Sequence, residues 1–287
     1  PRSAEGLYKF FIYLVLILLA VTILVPVAWV FMASIKQNSE FYGNPWALPA
    51  GFYWQNFVNA WNGAQMGQYM LNSVIVTSLA LILLLVIALP AAYCLSRFKF
   101  RGRKVLNTLF MAGLFINVNY IVVPIFLMLR DGDVALKSIF GSGFLLTNLF
   151  VLAVVYAATA LPFTIYLLSG YFATLPHDFE EAAYIDGAGF LRTFFQIMMP
   201  CAKGGLTSAA VLCFLNTWNE FTFSLILTSS ESARTLPLSL SYFTSQFSFN
   251  YTALFAAVTI AVIPSIIVFA IFQEQVVSSL TAGSVKE

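Results

Sequence analysis

The stretch "EEAAYIDGAGFLRTFFQIMMP", residues 180–200, is a polar segment between two long apolar runs of the chain. The residues just before this stretch are typical of a helix start, because Thr174 is suited to be an N-cap. Asp178, Glu180 and Glu181 then carry negative charge that complements the positive N-terminal end of a helix dipole. The alanines and aromatic residues that follow supply an apolar face. We therefore predict a short, acidic amphipathic helix.

Two glycines follow this helix. Residues without a Cβ adopt backbone conformations that other residues resist, so Gly187 and Gly189 predict a sharp turn. A second amphipathic helix is predicted from Phe190 until Pro200 stops it, because proline lacks a backbone N–H. The segment 174–203 thus predicts two short helices joined by a glycine corner. From these residues alone, a hairpin that lies on lipid headgroups is an equally good interpretation.

The rest of the chain has the composition of a membrane protein. Of its 287 residues, 60% are hydrophobic and 9% are charged, whereas soluble domains carry about 25% charge. A membrane-spanning helix needs about 20 predominantly apolar residues, and six segments reach that length. They predict an all-α integral membrane protein with six transmembrane helices. The predicted spans cover residues 10–33, 72–95, 106–129, 148–172, 206–228 and 251–273.

The distribution of Lys and Arg predicts the orientation in the membrane, because cytoplasmic segments carry an excess of these residues. With the N-terminus inside, the inner segments hold Arg2, Lys9, Arg97, Lys99, Arg101, Arg103, Lys104, Arg192, Lys203 and Lys286. The outer segments hold only Lys36, Arg130, Lys137 and Arg234. Both termini are therefore predicted to be cytoplasmic. The chain is interpreted as a single transmembrane domain, 1–287, with an extracytoplasmic segment 36–71 and a cytoplasmic tail 280–287. The basic run at 97–104 is interpreted as a topology anchor, with no nucleic-acid partner.

The sequence carries no motif of the common enzyme classes. It has no phosphate-binding P-loop, no HExxH zinc motif and no nucleophile elbow. One histidine and three cysteines leave little room for a metal site. We therefore predict a non-enzymatic protein without a metal or cofactor of its own, which takes its energy from a partner or a gradient.

Two predicted spans contain polar residues, which are costly in lipid and usually face a bundle interior or a water-filled cavity. Asn beside Trp or Tyr offers hydrogen-bonding groups together with flat apolar surfaces. The candidate substrate-pathway residues are Asn117, Asn119 and Tyr120 in the third span and Asn216, Trp218, Asn219 and Glu220 in the fifth. Hydrogen bonding between helices is the competing interpretation of these residues.

The opening stretch resembles the EAA loop of ABC importer permeases, whose pattern is E-A-A-x3-G-x9-I-x-L-P. The matching residues are Glu181, Ala182, Ala183, Gly187, Ile197 and Pro200, and Met199 replaces the usual leucine. Other stretches resemble the carbohydrate branch of this family, in particular the second (G-type) membrane subunit of maltose-type transporters. They are "WQNF" at 54–57, "NSVIVTS" at 72–78, "AAYCLSRFKFRGRK" at 91–104, "TWNEF" at 217–221 and "LTAGSVKE" at 280–287.

This resemblance, which covers nearly the whole chain, implies a type I ABC importer permease that imports a saccharide, specifically an oligosaccharide. It places the protein in a bacterial or archaeal cytoplasmic (inner) membrane as a multi-pass protein in contact with lipid. It implies four kinds of partner: a second, homologous permease, two ATP-binding cassette subunits that hold ATP and Mg, an extracytoplasmic solute-binding protein and the saccharide itself.

The resemblance also assigns roles within the chain. The segment 174–203 is implied to couple to an ATPase subunit through Glu180, Glu181, Ala182, Ala183, Gly187, Gly189, Phe190, Arg192 and Pro200. The tail 280–287 is implied to insert between the ATPase subunits. Two alternatives stay open: a gradient-driven secondary carrier with a coupling carboxylate in its fifth span, and an ABC permease for a non-sugar solute.

Overall fold

The computed structural model describes residues 2–63, 65–246 and 250–282, and every regular element in these ranges is helical. This confirms the all-α prediction over the described residues. The helices are α1 (Arg2–Ser34), α2 (Asn38–Gly43), α3 (Gln55–Gly63), α4 (Met66–Arg97), α5 (Arg103–Gly113), α6 (Val118–Phe140), α7 (Leu149–Thr174), α8 (Asp178–Ile185), α9 (Phe190–Thr193), α10 (Met199–Cys201), α11 (Lys203–Trp218), α12 (Thr222–Leu227), α13 (Leu236–Gln246) and α14 (Tyr251–Ala282). A π-helical segment, Phe194–Met198, links α9 to α10, and a 3-10 turn, Glu231–Ala233, precedes α13.

Four of these helices contain an uninterrupted stretch long and apolar enough to cross a membrane: Tyr8–Ser34, Met66–Arg97, Leu149–Thr174 and Tyr251–Ser278. The predicted third and fifth spans are each interrupted. In the third, α5 and α6 meet at an angle of 103°, and in the fifth, α11 ends at Trp218 and α12 begins at Thr222. A further bend, of 75°, separates the segment Phe190–Cys201 from α11 and lies before the predicted fifth span. Among the described residues the number of candidate spans is therefore four, or six if each bent pair is counted as one span.

Both interruptions coincide with polar residues inside the apolar runs. In the third predicted span, Asn117 caps α6, because its side-chain oxygen accepts a hydrogen bond from the N–H of Asn119 at 2.9 Å. In the fifth, α11 has 16 residues and is about 24 Å long, less than the hydrocarbon thickness of about 30 Å. The polar residues of the two predicted spans thus lie at helix breaks: Asn117 caps the start of α6, Asn219 follows the end of α11 and Glu220 precedes α12.

The described residues form two compact units, of which the first comprises Pro1–Gly67 and Ser239–Ile263. In this unit Trp29 packs against Phe41, Trp46 and Phe255 with ring centroids 5.2–5.9 Å apart. The buried side chain of Asn56 donates to the carbonyl oxygens of Ser34 and Lys36 at 2.8 and 2.7 Å. These contacts fix the segment after α1, which holds α2 and α3, to the end of α1.

The second unit comprises Gln68–Leu238 and Pro264–Glu287 and contains the segment 174–203. Its larger apolar cluster is built from α4, α7 and the loop, with Leu84, Tyr93, Leu168, Phe172 and Met198 among the fully buried side chains. A second cluster surrounds α12, which packs against α6 and α7. α7 also packs against α5 and α11, so it is the central helix of this unit.

The approach of α11 to α7 depends on a glycine. A Cβ placed on Gly205 would collide with the aromatic ring of Tyr171. We expect Gly205→Ala to lower the free energy of unfolding by about 1–3 kcal/mol, the usual cost of overpacking. Gly170→Ala is the matched control, because a Cβ at Gly170 meets no atom within 4 Å. Thermal unfolding of the two variants in detergent measures the difference, and equal midpoints would contradict the close packing.

Candidate functional site

The segment 174–203 folds as two short helical pieces around a turn, as its sequence predicts. α8 ends at Ile185, and Gly187, two residues later, is left-handed with φ of +76°. The N–H of Gly187 donates to Tyr184 O at 3.1 Å, and the N–H of Ala188 donates to Ala183 O at 2.9 Å. Gly189 has an ordinary φ of −73°. The turn therefore requires glycine at position 187 alone, because only there would an L side chain be strained.

Two details of the predicted loop were wrong. Thr174 does not cap α8: it is the last residue of α7, and its hydroxyl donates to Tyr171 O at 2.7 Å. Pro200 does not end the second helical piece, because the chain continues helically to Cys201 and bends at Ala202. The π-helical segment before Pro200 changes the hydrogen-bond register, which accommodates a residue that cannot donate a backbone N–H.

One face of the loop is exposed and combines acidic with apolar side chains. We call the residues Glu181, Ala182, Ile185 and Asp186 the exposed patch. Ile185 is 86% exposed, although it is a large apolar residue next to two carboxylates. Ala183, in contrast, is buried and packs inward. The exposed patch thus offers a small, close-approach surface with negative charge and an apolar tip.

The second half of the loop contributes Phe190 and Arg192. The Phe190 ring is partly exposed and packs against Tyr93 and Phe98 at 5.9 and 5.6 Å. Arg192 lies on the surface, where its Nε donates to the Gln196 side chain at 3.0 Å. Phe190 therefore attaches the loop to α4, whereas Arg192 adds positive charge outside.

Glu180 differs from its neighbour Glu181, because it is buried. The Tyr93 hydroxyl donates to one Glu180 carboxylate oxygen at 2.6 Å. Arg97 Nε lies 3.7 Å from the same oxygen, and His177 Nδ1 lies 3.3 Å from the other. From the sequence, the two glutamates were given the same role. The contact with Tyr93, which is 87 residues away, was not predicted. The stretch 91–104 at the end of α4, which carries part of the family resemblance, was the available signal.

The first group of polar pathway candidates lies at the bend between α5 and α6. Asn117, Asn119 and Tyr120 are all exposed, and Asn117 forms the helix cap. Tyr120 is 82% exposed and Phe115, on the same bend, 87%. The structure therefore brings two amides and two aromatic rings together at one helix break.

The second group lies at the end of α11. Asn216 and Asn219 are exposed, whereas Trp218 is buried and stacks on Phe214 at 5.6 Å. The Glu220 carboxylate accepts hydrogen bonds from the N–H groups of Phe223 at 2.8 Å and Ser224 at 3.3 Å. Its charge thus lies at the positive N-terminal end of α12. Glu220 therefore caps the N-terminal end of α12. Its position within an apolar run of the sequence did not reveal this role.

The described residues offer few other sites for chemistry. No three His, Cys, Asp or Glu side chains among them lie close enough together to hold a metal ion. The cysteines at positions 94, 201 and 213 are free. The loop and the two helix breaks are therefore the features to which function can be attached.

Interrupted helices around polar residues are characteristic of membrane transport proteins. The chain belongs to the family described as "Binding-protein-dependent transport system inner membrane component", whose model matches residues 84–281. The matched region includes the loop and both helix breaks. This confirms the resemblance to ABC importer permeases and places the chain in the inner membrane as a multi-pass component.

Named relatives agree with the family assignment. The chain is 37% identical over 284 residues to the diacetylchitobiose uptake system permease NgcG of Streptomyces coelicolor. This alignment covers 98% of this chain and 90% of the relative. It is 32% identical to the trehalose/maltose transport system permease MalG of Thermococcus litoralis, with 98% of each chain covered. A chain in the crystal structure of a bacterial alginate ABC importer has the same fold, with a TM-score of 0.79, 24% identity and coverage of 94% of this chain and 97% of that one.

Proposed function

We propose that this chain is a permease subunit of a binding-protein-dependent ABC importer and that it moves an oligosaccharide into the cell. The observation that carries the proposal is the loop 174–203, which presents an acidic and apolar patch outward while its inner face is held by α4. Relatives named for diacetylchitobiose and for trehalose/maltose support a saccharide substrate. The chain itself is non-catalytic and holds no cofactor.

In this proposal both termini and the loop lie on the cytoplasmic side, and the segment 36–71 lies outside. The partners are a second permease, two ATP-binding subunits and an extracytoplasmic solute-binding protein. A cationic pocket on an ATPase subunit receives the exposed patch, because opposite charges favour association and the correct register. ATP binding closes the ATPase subunits and moves the loops together, the pathway opens outward, and hydrolysis resets it.

The two helix breaks are proposed to line the sugar pathway. Transport proteins use interrupted helices at substrate sites, because exposed helix ends and side-chain amides supply hydrogen-bonding groups. Asn117, Asn119 and Tyr120 at one break, and Asn216 and Asn219 at the other, expose such groups. Trp218 is buried and stabilises the second break by packing.

A secondary carrier would need a carboxylate that binds and releases a coupling ion. Glu220 is the candidate from the sequence, but both of its carboxylate oxygens accept backbone N–H groups. That arrangement supports a structural role. We expect uptake to require ATP and to be independent of an ion gradient.

The experiment is uptake by proteoliposomes that contain the purified complex and the binding protein, with ATP supplied to the ATPase side. The probes are radiolabelled diacetylchitobiose, trehalose, maltose and an alginate oligosaccharide. The proposal predicts ATP-dependent uptake of at least one of them, unchanged when an ionophore collapses the proton gradient. Uptake that stops with the gradient while ATP is present would support the secondary carrier instead.

The tail 280–287 is proposed to contact the ATPase subunits. α14 extends to Ala282, and residues 283–287 lie outside the described residues. A terminus that docks on a partner gains order from it. We expect deletion of 281–287 to lower the amount of ATPase that co-purifies with the chain, and an equal yield of complex would refute this role.

A further inference from the structure

The two adjacent glutamates of α8 lie on different faces of the helix. Glu181 is exposed in the patch, whereas the Glu180 side chain is only 11% exposed. Tyr93 of α4 is completely buried, and its hydroxyl reaches Glu180 at 2.6 Å. A charged acceptor makes this hydrogen bond stronger than one between neutral groups. Glu180 is therefore bound within the chain and is not available to a partner.

Tyr93 contacts both halves of the loop. Its hydroxyl holds α8, and its ring packs against Phe190 at 5.9 Å and Phe194 at 5.1 Å in the second half. The same ring contacts Phe172 near the end of α7 at 5.5 Å. One α4 residue thus joins α7, α8 and the segment after the glycine turn.

Arg97, one turn after Tyr93, completes the connection. Its side chain is 2% exposed, and its Nη2 donates to the carbonyl oxygen of Leu175 at 2.6 Å. Its Nε faces Glu180 at 3.7 Å, which is longer than a hydrogen bond. The end of α4 therefore holds the linker between α7 and α8 as well as α8 itself.

The loop is connected differently to α11. On that side the chain passes through the π-helical segment, Pro200 and a bend of 75° at Ala202. π-helical segments and prolines are common causes of helix bending. A direct side-chain connection to α4 thus coexists with a bent backbone connection to α11.

We propose that Tyr93 and Glu180 form a latch that transmits displacement of the loop to α4. The pair consists of positioning residues that act on the sugar pathway through α4 and do not contact the ATPase. The proposal rests on the proposed function, because it presupposes that an ATPase subunit moves the loop. It assigns different tasks to adjacent glutamates: docking to Glu181 and transmission to Glu180.

The test uses the complete importer, purified through a tag on this chain and reconstituted with its binding protein. The variants are Tyr93→Phe, Glu180→Ala, Glu180→Gln and the double variant Tyr93→Phe/Glu180→Ala. The control is Tyr166→Phe, which removes a hydroxyl from an exposed tyrosine of α7. Three quantities are measured: the amount of ATPase that co-purifies, the rate of ATP hydrolysis and the rate of saccharide uptake. The saccharide is the one that the wild-type complex imports fastest among diacetylchitobiose, trehalose, maltose and alginate oligosaccharide.

We expect Tyr93→Phe and Glu180→Ala each to lower uptake about tenfold, the effect typical of losing a hydrogen bond to a charged group. Co-purified ATPase and ATP hydrolysis should stay close to wild type, so the ATP consumed per saccharide rises. Glu180→Gln keeps an acceptor for the Tyr93 hydroxyl and should recover part of the uptake. The double variant should be no worse than Glu180→Ala, because both changes remove the same bond.

Each opposite result overturns the latch. Loss of co-purified ATPase in Glu180→Ala would make Glu180 a docking residue. An unchanged ratio of ATP to saccharide in Tyr93→Phe, which keeps the buried ring and so the fold, would remove transmission. If the two single reductions in uptake multiply in the double variant, Tyr93 and Glu180 have independent roles. Failure of the proposed docking can be distinguished from failure of the latch, because in that case the ATPase co-purifies normally with the Glu181→Lys variant.

Discussion

Glu181→Lys is expected to abolish most ATP-driven uptake and to release the ATPase subunits from the chain. The variant places a positive charge on the exposed patch, where the proposal puts a cationic pocket of the ATPase. Like charges across an interface cost several kcal/mol, and each 1.4 kcal/mol weakens binding about tenfold. Gly187→Pro should act similarly, because proline cannot adopt the φ of +76° at which the loop turns.

The controls separate docking from general damage. Asp131→Lys makes the same charge reversal at an exposed residue of α6, outside the loop. Gly189→Ala changes a glycine with an ordinary φ and no atom within 4 Å of the added Cβ. Both should leave uptake and co-purified ATPase near wild type. If Glu181→Lys and Gly187→Pro also do so, the loop has no coupling role.

Glu220→Leu is expected to produce the second large effect. It leaves the N–H groups of Phe223 and Ser224 without their acceptor, and both residues are buried. An unsatisfied buried donor costs about 1–3 kcal/mol, so the start of α12 should loosen. We expect a lower melting temperature and strongly reduced uptake per inserted molecule.

Glu220→Gln is the matched variant, because its amide oxygen accepts a hydrogen bond while the charge is gone. It should keep a substantial fraction of ATP-driven uptake, and a collapsed proton gradient should change neither form. A Gln variant as inactive as the Leu variant, in vesicles that also lose uptake with the gradient, would assign ion coupling to Glu220.

The sequence was sufficient for the parts of the fold that depend on local chemistry. Acidic residues followed by alanines predicted the first helix of the loop, and Gly187, whose φ is positive, predicted the turn after it. The helical class followed from long apolar runs. Both are properties of neighbouring residues, so the sequence order contains them.

Long-range pairing and helix breaks were not accessible in the same way. Nothing near Glu180 marks it as the buried member of its pair, because its partner Tyr93 belongs to another helix. The length of the apolar run 106–129 also joined α5 to α6 across a bend. Asn117 and Glu220 were the available signals, since Asn and acidic residues favour helix starts, but within apolar runs they were interpreted as pathway residues.

The most direct measurement of the central claim is the set of subunits that co-purifies with the tagged chain from its native membrane. The claim is that this permease is driven by ATPase subunits docked on the loop 174–203. It predicts a complex with a second permease and two ATP-binding subunits, from which Glu181→Lys loses the ATP-binding subunits but keeps the second permease. A wild-type chain that purifies without ATP-binding subunits, or a Glu181→Lys complex of unchanged composition, would contradict it.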